Sequence, residues 1–175
     1  MSQLEIIKQW HFRNHRVQLA HYESARRLQR RHLMLGVPAI MLSTIVGASV
    51  FATLSKQTDQ QVFDVLGLFT IGAPHLRLVL GFLSVTAAVL TGLQTFLKLS
   101  ELAEKHRLAG ARFANLKHRI EMLASFPPPT DAETKATLEN IEAAWSKLRE
   151  DSPTLPAPVW RYFERTLSLD QHKCL

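Results

Sequence analysis

The sequence predicts an all-α membrane protein, a two-helix transmembrane hairpin with a cytoplasmic bundle of helices. Three observations support this fold class. Charged residues make up 21% of the 175, yet none occurs in residues 33–55 or in residues 78–97. Each of these runs is long enough for a helix that crosses about 30 Å of hydrocarbon. A heptad series of apolar residues follows the second run and is typical of a long amphipathic helix.

Residues 1–32 predict a basic cytoplasmic helix, with seven Lys or Arg against two acids. We expect its last four arginines to bind anionic headgroups of membrane lipids, at about 1 kcal/mol per cation. These are Arg26, Arg27, Arg30 and Arg31. The net charge of +6 also suits a nucleic-acid binder. The arginine cluster lacks the interleaved aromatic residues of a single-strand platform, so no direct nucleic-acid contact is expected.

The first uncharged run, residues 33–55, predicts one membrane span, and the second, residues 78–97, predicts another. The alternatives are a cleaved signal peptide and a pair of core helices in a soluble protein. A signal peptide has an apolar region of about 7 to 15 residues after a short basic start, whereas 32 residues precede this longer run. A pair of core helices in a soluble protein would need to be covered on all sides. The remaining chain is too small and too charged to do this.

The connector, residues 56–77, has only Lys56 and Arg77, balanced by two acids. Since Lys and Arg cluster on the cytoplasmic side of span ends, both termini are predicted to be cytoplasmic in a multi-pass arrangement. Within the connector, residues 62–74 are largely apolar but too short to span. They predict either an interfacial or re-entrant segment or a loop that packs on the hairpin.

Both spans carry a face of small and hydroxyl side chains, at intervals that align on a helix. Such faces serve close helix packing in lipid, or they line a pore once several copies assemble. The candidate packing or pore-lining residues are Ser43, Gly47, Ser84, Ala88, Thr91, Gln94 and Thr95, with Gly36 and Ala39 completing the first face. Neither span contains an ionisable residue, which argues against proton-coupled transport.

Three further cytoplasmic helices are predicted, over residues 98–124, 130–150 and 158–169. The first continues the second span and lies antiparallel to residues 1–32. Its heptad series is Leu99, Leu102, His106, Ala109, Phe113, Leu116, Ile120 and Leu123, in which His106 is expected to be a hydrogen-bonded core histidine. The second helix begins with a capping box from Thr130 to Glu133.

No residue pattern predicts an enzyme, a cofactor or a metal site. There is no glycine-rich phosphate loop and no Gly-x-Ser-x-Gly turn. His11 and His15 are one turn apart, but a zincin would need Glu at position 12, and nearby arginines disfavour a cation. We therefore expect these histidines to be solvated. The single cysteine, Cys174, excludes an intrachain disulfide.

Residues 20–165 resemble the SLATT domain, a bacterial two-span module associated with nucleotide-producing SMODS and nucleotide-sensing SLOG proteins. The resemblance is strongest at Glu104-Lys105-His106-Arg107 and at the preceding Leu-Thr-Gly-Leu-Gln-Thr-Phe, and residues 1–170 then form a single such domain. It implies an inner-membrane effector of antiphage defence that forms a pore or disrupts the membrane, causing abortive infection. The implied trigger is a nucleotide signal or a sensor partner: a nucleotidyltransferase, a SLOG protein or a reverse transcriptase.

Two hypotheses of different classes follow. In the first, the protein is a homo-oligomeric pore, since one two-span protomer is too small to enclose water. In the second, the hairpin is a membrane anchor, and the cytoplasmic helices recruit a partner.

Overall fold

The computed structural model describes residues 3–55, 63–65, 69–71 and 73–167, with side chains described at 5–50 and 78–167. The elements in chain order are α1 (Gln3–Ser55), β1 (Phe63–Val65), β2 (Phe69–Ile71), α2 (Ala73–Leu97), α3 (Leu99–Ser125), α4 (Asp131–Asp151) and α5 (Ala157–Thr166). The chain divides into two compact units. We call Met1–Gln29 with Ser100–Leu175 the helical body, and Arg30–Leu99 the hairpin unit.

A single helix, α1, contains both the predicted basic helix and the predicted first span. No glycine or proline separates these two segments between Gln29 and Leu33, so the backbone has no local reason to break there. Pro38 lies inside α1. Its ring removes one backbone hydrogen bond, which is tolerated in helices of this apolar kind.

The helical body has an apolar core where α1, α3 and α4 meet. Its buried residues are Ile7, Leu116, Ile120, Leu123 and Ile141, with Trp10 and Trp145 packed against them. The two indole rings contact edge to face, with centroids 5.9 Å apart. Helix α5 adds Val159, which is 1% exposed. Apolar and aromatic side chains of α1, α3 and α4 therefore form the core, and α5 buries one apolar residue of its own.

Two predictions for the body are confirmed. Helix α3 runs antiparallel to the start of α1, since His11 bonds to Glu121 and His21 bonds to His106. The Thr130 side chain caps α4 by accepting a hydrogen bond from the backbone N–H of Glu133 at 3.3 Å.

The predicted heptad series of α3 is buried except at one position. Leu102 is 39% exposed, and Ala103 is buried in its place. Near this end α3 lies beside Ala25 of α1, also buried. Neighbouring residues of a helix lie about 100° apart around its axis, so burial of Ala103 places Leu102 on another side of α3.

In the hairpin unit, α1 and α2 approach through Gly36 and Gln94. The connector contributes two antiparallel three-residue strands, with Phe63 opposite Ile71 and Val65 opposite Phe69. The sequence predicts no strand here, although these segments are rich in β-forming residues. Residues 62, 66–68 and 72 of the predicted interfacial or loop segment lie outside the described residues.

Helices α2 and α3 are separate, whereas the sequence predicts that the second apolar run continues directly into the helix that follows it. Helix α2 ends at Leu97 and α3 begins at Leu99. Lys98 between them has φ 45°, in the left-handed region. For a residue with a Cβ this conformation costs about 1 kcal/mol. Lys98 is thus a defined break at the end of the second apolar run.

Candidate functional site

Helices α1 and α2–α3 contain two stretches that are long and apolar enough to cross a membrane, within Glu5–Val50 and Leu78–Ser125. Only 11% and 6% of their most apolar windows are buried. The core helix of a soluble protein passes the same length test but is mostly buried. Here large apolar side chains face outward instead, among them Met34, Ile40, Met41, Leu78, Phe82, Val85, Val89 and Phe96.

The contact between α1 and α2 in the hairpin unit uses small residues on α1. Gly36 and Ala39 are buried, whereas Ser43 is exposed and Gly47 is half-buried. A Cβ at Gly36 would lie 2.9 Å from the Gln94 amide nitrogen. The same nitrogen lies 3.3 Å from Nε2 of His32. The Gln94 side chain therefore lies between the two helices.

The contact face of α2 differs from its small-residue face, for which the sequence leaves helix packing and pore lining open. The inward side chains are half-buried or buried at Leu80, Leu83, Ala87, Leu90 and Gln94. We call Ser84, Ala88, Thr91 and Thr95 the hydroxyl stripe, and all four are exposed. The sequence correctly groups these residues on one face but does not identify which face meets α1. Spacings of 3 and 4 residues occur both in the hydroxyl stripe and in the set that faces α1, so periodicity does not distinguish the two faces.

Two hydroxyl groups of the hydroxyl stripe are hydrogen-bonded within α2. Thr91 donates to the carbonyl of Ala87 at 2.9 Å, and Thr95 donates to the carbonyl of Thr91 at 3.0 Å. Such i−4 bonds satisfy a hydroxyl without water or a partner helix. These threonines can therefore lie in an apolar environment at little cost, and they can also exchange to an interhelical or water partner.

The large outward side chains of α2 lie on a different side from the hydroxyl stripe. At 100° per residue, Leu78, Phe82, Val85, Val89 and Phe96 centre about 120° away from Ser84, Ala88, Thr91 and Thr95. Helix α2 thus has three separate surfaces. One faces α1, one is large and apolar, and one is small and hydroxyl-bearing.

In the helical body, the face of α1 that meets α3 is polar. Positions 11, 14, 18, 21 and 25 follow alternating spacings of 3 and 4, and they hold His, Asn, Gln, His and Ala. His11, Asn14 and His21 are almost fully buried. Asn14 donates from Nδ2 to the backbone carbonyl of Phe113 at 2.7 Å. We call this set the polar seam. Sequence reasoning missed it by following apolar residues only, although the heptad spacing of polar residues was a usable signal.

The expectation that His11 is solvated is wrong. His11 is 0% exposed, and its Nε2 lies 2.8 Å from a carboxylate oxygen of Glu121. Lys117 and His118 also approach Glu121. Although partial burial works to raise the pKa of Glu121, hydrogen bonds from His11 and the charge of Lys117 hold it below its usual value. The partner of His11 is 110 residues away, so spacing within the N-terminal segment could not reveal it.

His21 and His106 form a buried pair, as expected of His106. Their Nδ1 atoms are 3.0 Å apart, so one ring donates a proton that the other accepts. The ring of His21 also stacks on Phe113, with centroids 5.4 Å apart. Burial, followed by the neighbouring His106, lowers the pKa of His21 to about 4, and burial lowers the pKa of His106. The pair is therefore neutral at neutral pH.

The predicted membrane-surface arginines lie on the outside of α1. Arg26, Arg27, Arg30 and Arg31 are all exposed. Arg27 donates to Glu23 at 2.8 Å, while Arg26 is only 3.9 Å from the same carboxylate. Of the two, Arg26 is therefore the one more weakly held by its own helix.

The described residues contain no group of three or more His, Cys, Asp or Glu placed to hold a metal ion. No protein-family model, curated protein or solved structure matches the chain. The likeness to the SLATT domain accordingly rests on the residues quoted above and remains a hypothesis. The family is not shown, and function must be argued from the apolar helices, the hydroxyl stripe and the helical body.

Proposed function

We propose that the chain is a two-span protein of the bacterial inner membrane, with both termini and the helical body in the cytoplasm. The exposed apolar surfaces within Glu5–Val50 and Leu78–Ser125 support insertion. The charge distribution supports this orientation. Lys and Arg residues cluster before the first uncharged run and after the second, and they are sparse in the connector, residues 56–77.

We further propose that copies associate laterally through the hydroxyl stripe, and that the assembly opens a pore or disrupts the membrane. The observation that carries this proposal is the exposure of Ser84, Ala88, Thr91 and Thr95, away from both the α1 contact and the large apolar surface. In lipid, small residues drive helix association because they allow close approach. A ring of such stripes also supplies hydroxyl groups to a water-filled interior.

The biological setting that we propose is antiphage defence by abortive infection, and its basis is the SLATT resemblance. In this scheme a nucleotide signal or sensor protein acts on the helical body, and α3 transmits the change to the spans. The break at Lys98 supports a localised change in backbone direction as the mechanical step.

Disulfide cross-linking tests the lateral contact. In a Cys174→Ser background, which removes the only native cysteine, Ser84→Cys is compared with Val89→Cys. Both positions are exposed, at 54% for Val89, but Val89 belongs to the large apolar surface. We expect oxidised dimers in membranes for Ser84→Cys and few for Val89→Cys. Equal cross-linking of the two variants would contradict the stripe as an interface.

Membrane potential tests the pore. Under triggered expression, a potential-sensitive dye should report depolarisation at or before growth arrest. Ala88→Leu should reduce it by filling the stripe, whereas Val89→Leu should not. Growth arrest with a normal potential and no dye entry would refute pore formation.

The alternative function, an anchor that recruits a partner, is favoured by one feature of the helical body. Leu102 and Leu108 are exposed on α3, and they line a cavity of about 460 Å³ together with Lys105, Arg112 and the Asp151–Pro153 turn. This surface suits an apolar segment with acidic flanks. Replacing the hairpin with an unrelated two-span anchor should preserve activity under this alternative and abolish it under the pore proposal.

A further inference from the structure

A second cavity in the helical body lies between α1 and α3. We call it the α1–α3 cavity, and its volume is about 430 Å³. Its lining residues are Tyr22, Ala25, Arg26, Gln29, Ser100, Ala103, Glu104 and Arg107. The volume is within the range of about 300 to 1,000 Å³ that is typical of small-ligand sites.

The wall of the cavity is positively charged and rich in hydrogen-bond donors. Arg26 approaches from α1 and Arg107 from α3, while Gln29 adds an amide and Ser100 a hydroxyl. Glu104 is the one carboxylate among the lining residues, so two guanidinium groups and one carboxylate leave a net charge of +1. A singly charged anion matches this balance better than a dianion.

Glu104 orients one of the arginines. It accepts hydrogen bonds at 2.7 Å from both Nε and Nη2 of Arg107, which fixes the plane of the guanidinium group. A guanidinium has five N–H donors, so about three remain for a ligand. Arg26 has no comparably close contact with its neighbour Glu23, 3.9 Å away. One arginine from each of the two helices suits an anion with several acceptor oxygens, as in a phosphate group.

The aromatic wall is also held in position. A Cβ at Gly110 would lie 3.0 Å from the ring of Tyr22, so this ring rests directly on the backbone of α3. Below it, the side chains of Ala25 and Ala103 are buried and small. Because these side chains are small, they do not fill the cavity, and a larger residue at either position would occupy part of its volume.

We propose that the α1–α3 cavity binds a singly charged phosphodiester, with Arg26 and Arg107 on its oxygens. Its residues lie next to the proposed spans in sequence, since Gln29 precedes Leu33 by four positions and Ser100 follows Leu97 by three. A phospholipid headgroup is one source of this chemistry, and a soluble phosphodiester is the other. The lipid source rests on the proposed membrane insertion, whereas the cavity chemistry does not.

Purified full-length protein in detergent provides the test. Native mass spectrometry counts the bound ligand molecules, and thermal shift measures the stabilisation that binding causes. The probes are phosphatidylglycerol, an uncharged diacylglycerol, and soluble glycerophosphoglycerol. We expect saturable phosphatidylglycerol binding that exceeds diacylglycerol binding. Arg26→Gln and Arg107→Gln should each weaken it about tenfold, since one charge-assisted hydrogen-bonded contact is lost.

Arg27→Gln and Arg30→Gln are matched controls, because they remove the same charge from exposed positions that do not line the cavity. Each should reduce binding to a clearly smaller degree. Equal losses in all four variants would mean that surface charge alone attracts the lipid, which overturns the proposal. Absence of any preference for phosphatidylglycerol or glycerophosphoglycerol over diacylglycerol also overturns it.

Two variants test the cavity without removing a cation. Ala103→Leu, or Ala25→Leu if the first does not fold, should abolish saturable binding by filling part of the cavity. Glu104→Gln raises the lining charge to +2 and should shift preference towards glycerol 3-phosphate, a dianion. A filled cavity with unchanged binding would place the ligand elsewhere and refute the assignment.

The two sources are separated by the soluble probe. Competition by glycerophosphoglycerol at concentrations similar to the lipid supports a free phosphodiester, and binding of the lipid alone supports a headgroup. Alkaline carbonate extraction of cell membranes measures insertion independently. Protein that stays in the membrane but shows no phosphodiester preference refutes the cavity alone. If carbonate extracts the protein, membrane insertion is refuted. Binding of glycerophosphoglycerol then tests whether the cavity holds a phosphodiester.

Discussion

Acidification should destabilise the helical body through its buried histidine pair. The pKa of His21 is about 4 in the folded chain, compared with 6.5 as the ordinary value. As pH falls below 6.5, the unfolded chain binds a proton that the folded chain does not yet accept. Stability from this group is therefore complete above pH 6.5 and is lost as pH falls towards 4.

The magnitude follows from the size of this difference. The loss begins only below the ordinary pKa of 6.5, so about 1.5 pH units contribute by pH 5. At about 1.36 kcal/mol per pH unit, His21 alone then lowers the free energy of unfolding by about 2 kcal/mol between pH 7.5 and pH 5. His106 acts in the same direction, because burial lowers its pKa as well. His15 contributes too, since burial and the charge of Lys117 lower its pKa. The pKa of Glu121 lies below its ordinary value of 4.5, so the stability that depends on its charge is lost below pH 5.

Tryptophan fluorescence during denaturant unfolding measures the effect. All three tryptophans, at positions 10, 145 and 160, belong to the helical body, so the fluorescence signal does not come from the hairpin unit. The double variant His21→Gln/His106→Gln retains a hydrogen-bonding pair that does not titrate. We expect it to lose about 2 kcal/mol less than the wild type between pH 7.5 and pH 5.

His118→Gln is the matched control, because the side chain of His118 is 75% exposed. Its acid sensitivity should equal that of the wild type, because this substitution leaves the buried pair intact. If the double variant weakens with falling pH as steeply as the wild type, the buried pair is not the source of the acid sensitivity.

Three other substitutions test local features by the same unfolding assay or by hairpin cross-linking. Thr130→Ala removes the cap of α4 and should cost about 1 kcal/mol, whereas Thr137→Ala, which removes only an exposed i−4 hydroxyl bond, should cost little. Lys98→Gly relieves the left-handed conformation and should stabilise the full chain by up to about 1 kcal/mol, whereas Lys105→Gly in the interior of α3 should destabilise it by a similar amount. Gly36→Leu should displace Gln94 and reduce cysteine cross-linking between α1 and α2, while Gly81→Leu, where a Cβ meets nothing within 4 Å, should not.

Much of the fold could be predicted because charge and periodicity are local properties. The uncharged runs locate the apolar parts of α1 and α2, and the proline-rich breaks separate α3, α4 and α5. Helix ends were predicted to within a few residues where a cap or proline marks them. The junction at Lys98 carried no such signal, since lysine rarely adopts positive φ.

The candidate sites were harder to predict because they depend on pairings between distant residues. Glu121 is 110 residues from His11, and Phe113 is 99 from Asn14. Periodicity alone also cannot rank two faces of the same helix. On α2 the leucine face and the hydroxyl stripe have equal spacing, and only three-dimensional packing against α1 distinguishes them.

The polar seam and the apolar core of the helical body differ in how they hold helices together, and this difference matters for the proposed mechanism. Apolar burial is strong and weakly directional, whereas the hydrogen bonds of Asn14 and of the His21–His106 pair in the polar seam are sensitive to register. Sliding α3 along α1 by one turn would separate His21 from His106 and Asn14 from the Phe113 carbonyl together. Each buried polar group left unpaired costs about 1 to 3 kcal/mol. The seam therefore defines one register sharply, and a partner that supplied replacement hydrogen bonds could favour another. A ligand held between Arg26 and Arg107 bridges the same two helices, so it would favour the register in which the α1–α3 cavity is formed.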